Sequence, residues 1–151
     1  WGRSLRNAKK ACEDLSSKGL EIKPATDLEE GVKKADIIIT TTPSTEYIVR
    51  NSWVSDSTHI TAIGADSLGK QELDTDLLHR ADLLVSDLNS QSLDHGEFQS
   101  IKETRSALRP IEIGNIFNKT EGGRLSEESV TIADLTGIAP QDIAITGTVL
   151  L

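Results

Sequence analysis

The sequence predicts an α/β fold built on a doubly wound, mostly parallel sheet. Three observations lead there. Short apolar runs alternate along the chain with segments of helical periodicity. The strongest run, DIIITTT at 36–42, is β-branched and apolar without the alternation of a half-solvated strand, as expected where helices cover both faces of a parallel sheet. Most of the runs end in Gly, Pro, Ser, Thr or Asp, the residues of a strand-to-helix turn.

In chain order, residues 4–18 carry Leu5, Ala8, Ala11, Cys12 and Leu15 at helical spacing, and Gly19 stops that helix. Residues 20–25 read as a strand despite Pro24. The Asp-x-x-Glu of Asp27 to Glu30 is a capping box and opens a short helix to about Lys34. Strands follow at 36–42, 58–63 and 82–87, with a helix at 71–80 between the last two. Residues 88–102 are helical in part, interrupted at His95-Gly96; Arg109-Pro110 marks a break before a short helix near 114–118. A polar loop, EGGRLSEES at 121–129, precedes a strand at 130–135. The last helix opens at Pro140, where proline is tolerated, and carries Ile143, Ile145, Val149, Leu150 and Leu151, apolar residues that call for a partner surface.

A length of 151 residues suits one domain with a real core. The net charge of −8 and pI near 4.8 argue against a nucleic-acid partner, because phosphate binding needs a basic patch. No run approaches the roughly 18 apolar residues of a membrane span. The single cysteine, Cys12, provides neither a disulfide framework nor a thiolate zinc site, and a reducing cytoplasm fits best. The chain contains no Met and starts on a Trp that reads as the tail of a strand, so an internal fragment lacking its first βα unit is expected.

In an open parallel sheet, ligands gather at the carboxyl ends of the strands. That rule selects Gly2-Arg3-Ser4, Thr41-Thr42-Pro43-Ser44, Gly64-Ala65-Asp66 and Thr136-Gly137. Each combines small or hydroxylated residues with backbone amides, which suits a ribose or pyrophosphate, although ordinary turns share this composition. In a nicotinamide-binding sheet, an acid after the second strand selects NAD, whereas Arg with a hydroxyl accommodates the 2′-phosphate of NADP; Arg3 and Ser4 favour NADP. The glycine-rich loop that would complete a pyrophosphate site is absent from the chain.

Asp66 is the best catalytic candidate, with capping of a helix beginning near residues 69–72 as the alternative. Lys70 pairs with it or faces solvent. His59 suits packing in a strand and His79 a helix surface. His95 with Glu97 lacks a third ligand at metal-binding spacing, so no metal is expected. No Ser/His/Asp or Cys/His grouping stands out.

With these stretches located, the sequence resembles the ornithine cyclodeaminase/mu-crystallin family. The resemblance rests on ADIIITTTPS (35–44), W-x5-HITAIGADS-x-GKQELD (53–74), ADLLVSD (81–87), IEIGNI (111–116), Gly123-Arg124 and VTIADLTGIAPQDIA (130–144), in the family's order along nearly the whole chain. It implies that residues 1–137 form a partial NAD(P)-binding Rossmann domain. Residues 138–151 would start a C-terminal helix returning to a substrate and dimerisation domain outside this sequence, in a full-length homodimer. Arg3 and Ser4 would lie by the adenosine ribose, Thr41, Thr42 and Pro43 along the dinucleotide, and Ile63, Gly64 and Ala65 near its nicotinamide half. Thr136 and Gly137 would close over the nicotinamide end.

Asp66 matches the family aspartate that serves in acid/base steps, activates water or holds a substrate amine. The activity implied is NAD(P)-dependent and acts on a small amino or imino acid, with NADP or NAD as cofactor. Hydride leaves an α-carbon and gives an imine, a side-chain amine closes a ring with loss of ammonia, and the hydride returns, as in ornithine to proline; run one way, the same site reduces an imine such as iminosuccinate. ITAIGADSLGKQEL, SDLNSQSLDHGEF and IADLTGIAPQDIAI are closer to the branch of ectoine-utilisation cyclodeaminases and iminosuccinate reductases than to mu-crystallin, whose members lack the Asp. Asn115 stands where the family usually has Glu. The alternative is a non-catalytic, mu-crystallin-like protein that binds NADP and a ligand, and residues 1–151 alone are expected to be inactive.

Overall fold

Among the described residues, five parallel strands organise the second of the chain's two units, Asp36–Leu151, while Trp1–Ala35 forms the first. The computed structural model describes residues 1–103 and 109–150. The expected place of Leu151 on the last helix lies outside them.

In the first unit, α1 (Leu5–Ser16) begins where the Ser4 hydroxyl accepts from the Asn7 N–H at 3.4 Å, and α2 (Leu28–Lys33) where the Asp27 carboxylate accepts from the Glu30 N–H at 3.0 Å. These are the starts that the sequence predicts. Gly19 follows α1 with φ of +83°, a conformation that favours glycine. The expected strand at 20–25 does not form; Pro24 has no N–H to give a ladder, and the segment runs irregularly.

The second unit contains β1 (Ile37–Thr40), β2 (His59–Ala62), α3 (Thr75–Arg80), β3 (Leu83–Ser86), α4 (Asn89–His95), β4 (Ile111–Glu112), α5 (Ile113–Phe117), β5 (Thr131–Asp134) and α6 (Ala139–Val149). Short 3-10 turns lie at Asn51–Trp53 and Glu97–Ile101. The strand order is β1-β2-β5-β3-β4. Each ladder is parallel, so the carboxyl ends share one edge, where Thr40, Ala62, Asp134, Ser86 and Glu112 stand in register. The fold is α/β and Rossmann-type.

Two expectations about elements need correction. β1 is not buried on both faces: Ile38 and Thr40, on one face, are buried, whereas Ile37 and Ile39, on the other, are exposed because no described residue covers that face. The strand buried at all four positions is β5, in the middle of the sheet. The helix expected at 71–80 begins only at Thr75. Asp74 caps it, accepting from the Asp76 N–H at 3.1 Å, and Leu73 instead bridges Val49. The two-residue strand β4, after Pro110, was not anticipated.

Phe98, Ile60, Leu73, Leu77, Leu78, Leu84 and Ile132 fill the core between the sheet and its helices. No helix among the described residues is long and apolar enough to cross a membrane. α6 leaves Ile143, Ile145 and Val149 exposed, and Leu150, which caps it, is exposed as well.

Candidate functional site

Three of the four predicted stretches leave one edge of the sheet side by side. Thr41–Ser44 follows β1, Ile63–Asp66 follows β2, and Leu135–Gly137 follows β5, and these strands are neighbours. Thr41 and Pro43 are exposed, and Ile63 presents an apolar side chain that is 42% exposed. Ala65 points inward and is fully buried, so only its backbone can face a ligand. Arg3 and Ser4 belong to the first unit, where Arg3 is exposed and Ser4 caps α1.

Asp66 caps no helix. Residues 64–72 contain none, and Gly69 turns the chain with φ of +82°. The carboxylate of Asp66 instead accepts from Lys70 Nζ at 2.5 Å and from the Ser67 hydroxyl at 3.0 Å. These partners, Lys70 foremost, hold its pKa below the usual carboxylate value. Its side chain remains 55% exposed, so it faces outward as an ionised group. Gln99 fixes this turn from below: its side-chain oxygen accepts from the Gly69 N–H at 2.8 Å and its amide donates to the Lys70 carbonyl at 3.0 Å.

The amides expected to await a ligand already have partners inside the chain. The Glu72 carboxylate, fully buried, accepts from Thr42 N at 2.5 Å and Gly64 N at 3.0 Å. The Asp87 carboxylate accepts from the Thr136 hydroxyl at 3.0 Å and Gly137 N at 2.7 Å, while Gln91 donates to Thr136 Oγ1 and the Gly137 carbonyl. These turns are therefore braced platforms. Thr42 Oγ1, by contrast, is buried with no partner among the described residues, as a hydroxyl reserved for a bound polar group would be. An exposed apolar residue, small turn residues, an orphan hydroxyl and one ionised carboxylate in a row fit a dinucleotide and a small amine-bearing molecule.

Sequence reasoning missed Glu72, Asp87 and Asp134 altogether, and it weighed Glu97 only as a metal ligand beside His95. Glu97 in fact accepts from the Glu72 N–H at 3.0 Å and the Leu73 N–H at 2.7 Å. Burial pushes its pKa up to about 8, against those two N–H groups, which favour the charged form. Asp134, at the end of β5, accepts from the Ser92 hydroxyl and the Phe98 N–H, and burial raises it to about 6. The available signal was an acid at the end of an apolar run, as in SD at 86–87 and IAD at 132–134. His59 bridges Thr131 Oγ1 at 2.7 Å and Thr61 Oγ1 at 3.1 Å, a packing role, and burial lowers its pKa. Arg124 ties its loop to the carbonyls of Ser57, Ser126 and Glu127. A concavity of about 500 Å³ beside β3 and β4, lined in part by Asn89, Arg109, Glu112 and Asn115, contains none of the predicted site residues.

Fold and edge together define a Rossmann-type domain with three braced turns at the carboxyl ends of adjacent strands. The chain belongs to the ornithine cyclodeaminase/mu-crystallin family, whose model matches residues 1–150. It is 37% identical over 138 residues to an alanine dehydrogenase of Archaeoglobus fulgidus, covering 89% of this chain and 41% of that protein. The solved iminosuccinate reductase of Paracoccus denitrificans in complex with NAD+ superposes with a TM-score of 0.88 at 32% identity, covering 99% of this chain and 46% of that one. A Thermococcus litoralis Δ1-pyrroline-2-carboxylate reductase, in complex with NADH and L-proline, gives a TM-score of 0.84 at 28% identity, over 97% of this chain and 46% of that one. The chain thus spans less than half the length of these relatives.

Proposed function

We propose that these residues are the dinucleotide-binding part of a longer NAD(P)-dependent enzyme that acts on a small amino or imino acid, by cyclising deamination or by imine reduction. The observation that carries this reading is Asp66, ionised and exposed at the edge where three braced turns meet the carboxyl ends of β1, β2 and β5. Family membership and relatives solved with NAD+ or NADH support it. A nicotinamide bound there supplies hydride transfer.

The chain's own residues do the rest. Thr41, Thr42 and Pro43 lie along the dinucleotide, with the orphan Thr42 hydroxyl as a polar contact. Ile63 offers apolar surface to the nicotinamide half, and the backbone of Gly64, Ala65, Thr136 and Gly137 borders it. Arg3 and Ser4, in the first unit, have the chemistry that accommodates a 2′-phosphate, which favours NADP. Asp66, held in its charged form by Lys70, pairs with a substrate ammonium and accepts one of its protons, leaving a neutral amine and a neutral carboxyl. Such a group suits the role of base and counter-ion better than that of acid at neutral pH. The exposed apolar residues of α6 are expected to lead toward a substrate and dimerisation domain.

Titration of the full-length protein with NAD and NADP, followed by assays with ornithine, iminosuccinate and cyclic ketimines, tests the proposal. Saturable binding of NADP ahead of NAD and turnover of one of these substrates is the expected result. Clear preference for NAD removes the role given to Arg3; absence of binding to either sinks the reading. A finer check concerns Lys70. Since Lys70 lowers the Asp66 pKa, Lys70→Met moves that pKa up toward its ordinary value. The acidic limb of kcat/KM against pH then shifts to higher pH, while the plateau near neutrality is kept; an unmoved limb separates the two residues.

A further inference from the structure

The Glu72 carboxylate bonds two different turns at once, those after β1 and β2. Thr42 follows β1 and Gly64 follows β2, and the two amides lie on one buried carboxylate at 2.5 Å and 3.0 Å. Gly64 makes room for it. A Cβ at that position would overlap the Thr42 carbonyl oxygen and the Glu72 carboxylate, so no larger residue fits while the bridge exists. Glu72 is itself fixed at both ends of its peptide: its N–H donates to Glu97, and its carbonyl accepts from Ile48 N at 2.8 Å and Val49 N at 3.0 Å. No cation neutralises this side chain through an ion pair among the described residues. A buried carboxylate without a cation depends on its N–H partners, so losing either one is expensive.

From this geometry we infer that Glu72 is a positioning residue: its carboxylate sets the gap between the β1 and β2 turns, and thereby the place of Ile63 and Asp66 relative to Thr41–Pro43. The role rests on the functional reading above, since it assumes that a dinucleotide lies across those turns. Glu72 touches neither substrate nor cofactor. Two parallel strands splay freely beyond their last ladder bond, and here that freedom is removed by a side chain reaching back from eight residues after Gly64. A carboxylate suits the task because it accepts two N–H groups and offers no donor. Glutamine of the same shape accepts through one oxygen only and turns an N–H2 toward the other amide.

The test uses Glu72→Gln in the full-length protein, with three readouts: dinucleotide Kd, kcat at saturating dinucleotide, and hydrogen exchange at the Thr42 and Gly64 amides. The expected result is a folded protein whose Kd rises roughly tenfold or more, the scale of one lost charge-assisted bond, with faster exchange at both amides and a reduced kcat. Glu72→Asp retains two acceptors, falls between Gln and wild type, and serves in the same assays where Glu72→Gln does not fold. A purely structural role leaves the folded variant with wild-type Kd and kcat and only a lower Tm, and that outcome overturns the proposal. If the wild-type protein binds neither NAD nor NADP, the functional reading falls and takes the positioning role with it. If the wild type binds and Glu72→Gln binds equally well, only the positioning role falls.

Discussion

On the proposed function, Asp66→Asn is expected to lower kcat/KM of the full-length protein by about 10²–10⁴-fold, the range associated with loss of one positioned proton-transfer group. Asparagine keeps the shape, and its side-chain oxygen still accepts from Lys70 and Ser67, the two partners of the wild-type carboxylate. With 55% of the side chain exposed, the substitution leaves little buried contact to lose, so Tm stays close to wild type. Dinucleotide Kd is also kept, because the turn is held by Gln99 and Glu72 rather than by Asp66. The charge, however, is gone: an amide at neutral pH neither accepts the substrate proton nor balances a cation. Steady-state kinetics, a thermal melt and a dinucleotide titration on the same preparation separate these effects. Wild-type turnover from the variant removes Asp66 from the mechanism.

Sequence reading located the residues that sit on the edge far better than those that hold it. Thr41–Ser44, Gly64–Asp66 and Thr136–Gly137 were legible because parallel strands send their turns to one side, and small residues after an apolar run mark those turns. The capped start of α2 was legible for a similar reason, since Asp27 and the amide it binds lie three positions apart. Glu72 was not, because its partners Thr42 and Gly64 lie 30 and eight residues away. KQELD also has the polarity of a first helical turn, which hid both the extended segment through Leu73 and the true cap at Asp74. Asp87, Glu97 and Asp134 were hidden in the same way: an acid in a sequence suggests solvent, and only the folded arrangement supplies N–H and O–H donors enough to bury one. β1 was misjudged because a β-branched run fits a buried strand, but burial depends on neighbours that the run does not specify.

Stability is expected to fall between pH 6.5 and 8 through Glu97. Its pKa lies near 4.5 when unfolded and about 8 in the fold, so across this interval the folded state retains a proton that the unfolded chain has released. The stabilisation is complete below pH 4.5 and is lost as pH rises through 8. Within the upper part of that range the loss is on the order of 2 kcal/mol, one proton followed over 1.5 pH units. Asp134 acts in the same direction but lower, between its ordinary 3.8 and about 6. His59 acts oppositely: burial lowers its pKa from 6.5, so it costs stability as pH falls below that value and leaves the window above to Glu97. Glu97→Gln cannot titrate, yet its one side-chain oxygen can accept from both Glu72 N and Leu73 N, as Oε1 of Glu97 does. That variant therefore shows a flatter stability profile from pH 6.5 to 8 and near-wild-type stability where Glu97 is protonated. Glu97→Ala orphans both buried N–H groups at a cost of about 1–3 kcal/mol each, before any cavity is counted. Because Glu72 hangs from Glu97 by its own N–H, the alanine variant also loosens the Thr42 and Gly64 amides. Urea unfolding of wild type and both variants at pH 6.5, 7.2 and 8 decides the matter: if Glu97→Gln keeps the wild-type slope, the proton belongs to another group.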